Sequence, residues 1–242
     1  MSMSSIGLKI IKLQEHINST EGWRIINKLK IFRVSLYTFQ KNNEEIENLL
    51  NLYETNTNMV IHIMSVDNRK EFEYFLKEVT RLLHNYLAAA KTLIDHTRKL
   101  FQDEYKGTDF EEEYNNKINE LFVNSSVSKF IQDLRNYSLH RTLPITSANL
   151  SFNRESGMSH SVHLAKESLI GWEKWTKKAL EYLNNQGDEI SLLQLIKEYT
   201  EIVIGFQKWF QEKQYEIHSD SLKELEKLQE EYNILYKQIK LN

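Results

Sequence analysis

An all-α fold, a multi-helix bundle with a small β-hairpin excursion around residues 145–165, is what this sequence predicts. Three observations predict it. The 242 residues include one Pro and seven Gly, where average usage would give roughly 12 and 17, and an all-β chain needs far more turns. Apolar residues recur at helical spacing over long stretches, the mark of amphipathic helices. The stretches ITSANLSFNRES and GMSHSVHLA break that period. They are polar, tolerate strand and are divided by Glu155-Ser156-Gly157, as in a hairpin or an extended excursion.

Hydrophobic residues make up 40% and charged residues 27%, which is not the balance of a disordered chain. The length can bury a sizeable core. With no internal repeat and no linker visible, residues 1–242 read as a single helical domain.

The elements follow in order. Residues 1–66 supply N-terminal helices. Ile26, Leu29, Arg33, Leu36 and Tyr37, then Ile46, Leu49, Leu50 and Tyr53, make 22–53 one or two helices. A strand over KIFRVSLYTF is the alternative there, and 54–66 reads as a connection. The clearest helix starts near Asp67 or Asn68, either of which can cap it. Its stripe of Phe75, Val79, Leu82, Leu83, Tyr86, Leu93 and Leu100 runs to about Tyr105, where Lys106-Gly107 stops it. A further helix begins near Glu111. Asn124-Ser125-Ser126 interrupts it and can cap the next, which carries Val127, Phe130, Ile131, Leu134 and Tyr137. That helix ends near Arg141, because Pro144 forbids much more of it. After the excursion, helices are expected at about 167–184 and 188–217, with a last one over 219–241.

Several chemistries are excluded. Without Cys there is no disulfide, thiol nucleophile or Cys-ligated metal. No glycine pair has phosphate-loop spacing. The zinc-protease helix motif and the nucleophile elbow are missing. His160 and His163 are three apart and point to opposite faces of a strand, so they are expected to be solvent-exposed, with no metal and no other cofactor. His84 and His96 read as structural histidines on the long helix, and the Tyr and Trp residues as core. The N-terminal twenty residues lack an uninterrupted apolar region, and no run of 18 or more apolar residues exists. The expected location is therefore the cytoplasm, with no membrane partner.

Formal net charge is −3. Residues 1–42 hold seven Lys/Arg against two Glu, and residues 103–120 hold seven Asp/Glu against two Lys. Solvated faces account for this most simply. A basic surface that meets phosphates is the sharper alternative.

The segment KFIQDLRNYSLHRTLP, 129–144, carries Arg135-Asn136-Tyr137-Ser138-Leu139-His140 near a helix end. Asn136 and His140 fall on one helical face, about 40° apart. Arg135 has a planar fork suited to phosphate oxygens. Asn136 can orient His140 or bind a non-bridging oxygen, and Arg141 adds a second phosphate contact, with Tyr137 beside it. His140 meets the negative end of the helix dipole, a setting for a histidine that takes and gives protons. These are parts that metal-free RNA cleavage needs, in which the ribose 2′-hydroxyl attacks the adjacent phosphorus.

An Arg followed after four to six residues by His, with a polar residue just after the Arg, resembles the motif of the HEPN family. Arg154 and His160 share the bare spacing but fall in the predicted hairpin, with Glu after the Arg. The resemblance implies a HEPN-like core over about 67–217, with catalytic Arg135, Asn136 and His140 and weaker substrate-binding roles for Arg141 and Tyr137. It also implies a homodimer in which the motifs of two copies face each other. About 140° separate Arg135 from His140 in one ideal helix, a gap that such a dimer would bridge. The implied function is a metal-independent endoribonuclease, a toxin or anti-phage defence effector, with RNA and an antitoxin or other protein as partners. The alternative is a non-catalytic helical module that binds a protein partner or nucleic acid. Thr142 stands where the nucleotidyltransferase-paired branch of the family has Tyr, so tyrosine modification is not expected there.

Overall fold

A computed structural model describes residues 3–144, 146–153 and 157–240. It is an all-α bundle with a small antiparallel sheet, as the breaker count and periodicity predict. The helices are α1 (Met3–Ser19), α2 (Glu21–Thr55), α3 (Thr57–Ile63), α4 (Arg69–Glu104), α5 (Phe110–Ile118), α6 (Ser126–His140), α7 (Lys166–Ile170), α8 (Lys177–Asn185), α9 (Leu192–Ile217) and α10 (Ser219–Lys240). The strands are β1 (Thr146–Asn153), β2 (Gly157–Ala165) and β3 (Glu189–Ser191), in spatial order β1-β2-β3.

The chain forms two compact units, with borders inside α2 at Val34/Ser35 and inside α9 at Phe206/Gln207. In the terminal unit α1 packs along α10. Phe32 meets Phe210 edge to face at 6.4 Å. Gly22 allows the start of α2 to approach the backbone of Ser221.

The central unit, Ser35–Phe206, holds the candidate site. Its stripe on α4 buries Phe75, Val79, Leu82, Leu83, Tyr86 and Leu93, while α6 buries Val127, Phe130, Ile131, Leu134 and Tyr137. α6 lies between α4 and α8. On the α8 side Phe130 stacks on Trp175 at 5.3 Å and on Tyr182 at 4.9 Å. Burial of such aromatic faces is worth roughly 25 cal/mol per Å² of apolar surface, which holds α6 rigidly against its neighbours. Asp133 turns its carboxylate across this interface, where Oδ2 accepts from Thr176 N at 2.7 Å.

Three local expectations are corrected, and the strand alternative over KIFRVSLYTF gives way to the expected helix. The segment 54–66 is not a plain connection: α2 runs to Thr55, and Asn56 caps α3 by accepting from Met59 N at 3.0 Å. KIFRVSLYTF is helical throughout. Asn68 does not cap α4 with its side chain, which donates to His62 O at 2.9 Å instead. The expected helix over 167–184 breaks into α7 and α8, because Trp172 and Trp175 turn inward. Trp175 Nε1 donates to Leu169 O at 2.9 Å, and both indoles pack on Tyr137. Tertiary burial here overrides helix propensity.

The predicted excursion is a hairpin, with Thr146 opposite Leu164 and Leu150 opposite His160. Gly157 opens β2 with φ of 78°, a value glycine adopts at no steric cost. β3 adds a third strand where a helix was expected to begin. Its Ile190 pairs with Leu164 and is buried.

Candidate functional site

α6 is capped where the sequence suggests: Ser125 Oγ accepts from Ser128 N at 3.2 Å. The helix ends at His140, and Arg141 follows as its cap residue. Fifteen residues of helix with one face in the core leave a polar edge on the α4 side. That edge borders a cleft of about 140 Å³ between α4 and α6.

Arg135 and Asn136 both line this cleft and are half-buried. Arg135 Nη1 donates to Asn136 Oδ1 at 3.4 Å. Across from them α4 contributes Lys91 and Arg98, with Leu87, Ala90 and Ile94 as apolar wall. Lys91 pairs with Asp95, and Arg98 Nη1 lies 3.7 Å from the same carboxylate. Arg135 has no carboxylate partner among the described residues. Asp133 also lines the cleft, but its Oδ2 is committed to Thr176 N. Three cations therefore line the cleft with one carboxylate, Asp133, that is already engaged.

Gln132 of α6 and Tyr199 of α9 are the further polar residues of the lining. Tyr199 lines the cleft with a side chain that is fully buried, and its hydroxyl finds no hydrogen-bond partner. Burial pushes that phenol well up from its ordinary range, so it stays a neutral donor. A buried unpaired hydroxyl costs free energy unless something bonds to it.

The predicted residues do not all converge. His140 is exposed at the end of α6 and does not line the cleft. Asn136 bonds to Arg135 and not to His140. Arg141 is exposed, with its guanidinium over the Tyr137 ring at 5.7 Å and close to Gly171. It remains able to meet a phosphate. Tyr137 is core: it is 2% exposed and its hydroxyl donates to Ser168 O at 3.2 Å. Burial removes it from the substrate-binding candidates.

The histidine expectations also need correction. His160 and His163 do point to opposite sides of β2, yet both are buried and not solvent-exposed. His160 Nε2 lies 3.1 Å from Thr57 Oγ1, and His163 Nδ1 lies 3.4 Å from Glu189 Oε2. Helix α3 packs on β2, and β3 pairs alongside it with Ser191 opposite His163. Arg154, the partner of His160 in the second match to the motif spacing, lies outside the described residues. His84 is half-exposed, not a buried structural histidine, and His96 is exposed, with Nδ1 2.5 Å from Ser35 Oγ. Among the described residues no three His, Asp or Glu come together as a metal site. None of their helices is long and apolar enough to cross a membrane.

Sequence reasoning missed Lys91, Arg98 and Tyr199. Lys91 and Arg98 had a usable signal, since residues seven apart on one helix share a face. Comparison with protein-family models, with curated proteins and with solved structures finds no match to this chain.

Proposed function

We propose that the chain is a metal-independent endoribonuclease that acts as a homodimer, in the manner of a toxin or anti-phage effector. The observation that carries this reading is Arg135, a half-buried guanidinium without a carboxylate partner, held beside Asn136 in a cationic cleft. Such a cleft suits a phosphate whose charge grows in the transition state. His140 lies outside the cleft of its own chain, so a second copy brings the two motifs together about a two-fold axis.

In the reaction, the ribose 2′-oxygen attacks the adjacent phosphorus as histidine takes its proton. The P–O5′ bond breaks and the leaving oxygen gains a proton. The products are a 2′,3′-cyclic phosphate and a 5′-hydroxyl. DNA lacks the attacking group and is not cut.

The test is cleavage of RNA by purified protein in EDTA, together with expression toxicity of wild type against His140→Ala. Cleavage that needs a divalent ion, or toxicity unchanged in the variant, counts against the mechanism. Light scattering that shows a monomer at micromolar concentration removes the composite site.

A second reading has its own support. Arg135 and Asn136 line the cleft with Lys91 and Arg98, and without His140. A non-catalytic module that binds an anionic group, on a nucleic acid or on a protein, needs no more than that.

A further inference from the structure

A second depression lies beside the same helix. An open groove of about 620 Å³ is bordered by Leu76, Lys77, Arg81 and His84 of α4 and by Leu143 and Pro144 after α6. Lys77, Arg81 and His84 therefore flank the groove as Lys91 and Arg98 flank the cleft. At about 100° per residue all five fall within an arc of about 100° on α4. They extend over about 31 Å of helix at 1.5 Å per residue.

The order of contacts matters. Residues 87–98 of α4 share the cleft with 131–136, whereas residues 76–84 share the groove with 143–146. The two chain segments therefore run in opposite senses past each other. His140, exposed at the end of α6, falls in the chain between Asn136 of the cleft and Leu143 of the groove.

We infer that a single-stranded RNA lies along this face of α4, filling both the cleft and the groove. This rests on the ribonuclease reading above for the identity of the polymer. Repeated cations meet successive phosphates. The apolar side chains of Leu76, Leu143 and Pro144 offer surface to base faces. Arg81 is paired with Glu78, and Lys91 and Arg98 with Asp95. Lys77 and His84 have no ion-pair partner among the described residues, which leaves the groove end the more open to phosphate.

The experiment uses full-length His140→Ala protein, silent in cleavage, and a fluorescein-labelled 12-mer of oligouridine RNA. Anisotropy is followed over a range of salt. Five permanent cations, Lys77 and Arg81 of the groove with Lys91, Arg98 and Arg135 of the cleft, at about 0.7 each give an expected slope of log K against log [salt] of about −3.5. Lys77→Ala and Arg98→Ala, added singly, should each reduce that slope by about 0.7 and weaken binding several-fold. Lys117→Ala on α5 changes net charge equally and should leave both unchanged. Melting curves confirm that each variant folds, and Lys77→Gln repeats the groove test with a longer side chain.

If Arg98→Ala weakens binding and both Lys77 variants do not, RNA occupies the cleft alone and the track is wrong. Absence of RNA binding, or preferential binding of a poly-glutamate peptide, also overturns it. If RNA binds with these slopes but wild type leaves it intact, the track stands and the ribonuclease reading falls. If wild type cuts the 12-mer with a KM that Lys77→Ala does not change, the ribonuclease reading stands and the track falls.

Discussion

Arg135 Nη1 donates to Asn136 Oδ1 at 3.4 Å, so two neighbouring side chains of α6 are joined where they line the α4 cleft. Both are half-buried and neither belongs to the core. Arg135→Ala should therefore remove cleavage and leave the fold intact. Loss of one charge contact in a transition state costs about 10²–10³ in rate. Asn136→Ala removes only the group that orients the guanidinium and should cost less. His140→Ala should match Arg135→Ala. His160→Ala, otherwise attractive as a control with the same motif spacing, is unsuitable because His160 is buried against Thr57. Rates and circular dichroism of the three site variants decide the matter: cleavage by Arg135→Ala at wild-type rate removes the assigned role.

Asp133 is the structural counterpart on the same helix. Its Oδ2 accepts from Thr176 N at 2.7 Å, at the residue whose side chain caps α8. Asp133→Ala removes the acceptor of that part-buried hydrogen bond, a loss of about 0.5–1.5 kcal/mol. Asp133→Asn keeps an oxygen there and should lose less. Urea unfolding of both variants checks the order. Equal stability of Asp133→Ala and wild type would mean that the bond contributes nothing net.

The long elements were legible because their apolar period repeats many times. The stripe from Phe75 to Leu100 identifies α4, and Val127 to Tyr137 with Pro144 beyond identifies α6. Short elements offer too few repeats: α3 has seven residues and β3 three. The break before α8 comes from Trp172 and Trp175, which find their partners on α6. No local pattern announces such a partner. The site was legible only on its own helix. Arg135 and Asn136 are adjacent in sequence, whereas Arg98 and Tyr199 reach the same cleft from α4 and α9. Proximity of that kind is a product of the fold.

Glu54 gives the stability a pH dependence of known sign. Burial pushes its carboxyl above the ordinary range, opposed by Lys197 and His160. Glu198 is raised too, by burial and by Glu201. A carboxyl whose folded value exceeds its unfolded one, about 4.3 for glutamate, contributes stability below that unfolded value. The contribution is lost as pH rises through the folded value. Glu54→Gln should therefore raise the melting temperature relative to wild type at pH 7, and the difference should shrink toward pH 4. A difference that stays constant across that range would show that Glu54 titrates alike in both states.

The same substitution at two helical glycines should act with opposite signs. Gly22 lies near the start of α2, where an added Cβ would meet Ser221 O at 2.3 Å and Leu225 Cβ at 2.9 Å. The nearest of those atoms is backbone, so α10 itself would have to move. Overpacking of this kind costs about 1–3 kcal/mol, more than the helix propensity of about 1 kcal/mol that alanine returns. Gly205 lies within α9, exposed, with nothing within 4 Å of its Cβ position. Gly205→Ala should stabilise by about 0.5–1 kcal/mol, and Gly22→Ala should destabilise. Denaturant midpoints of the two variants give the comparison directly. If Gly22→Ala is stabilising like Gly205→Ala, the start of α2 has room beside Ser221, and the close approach does not constrain the sequence there.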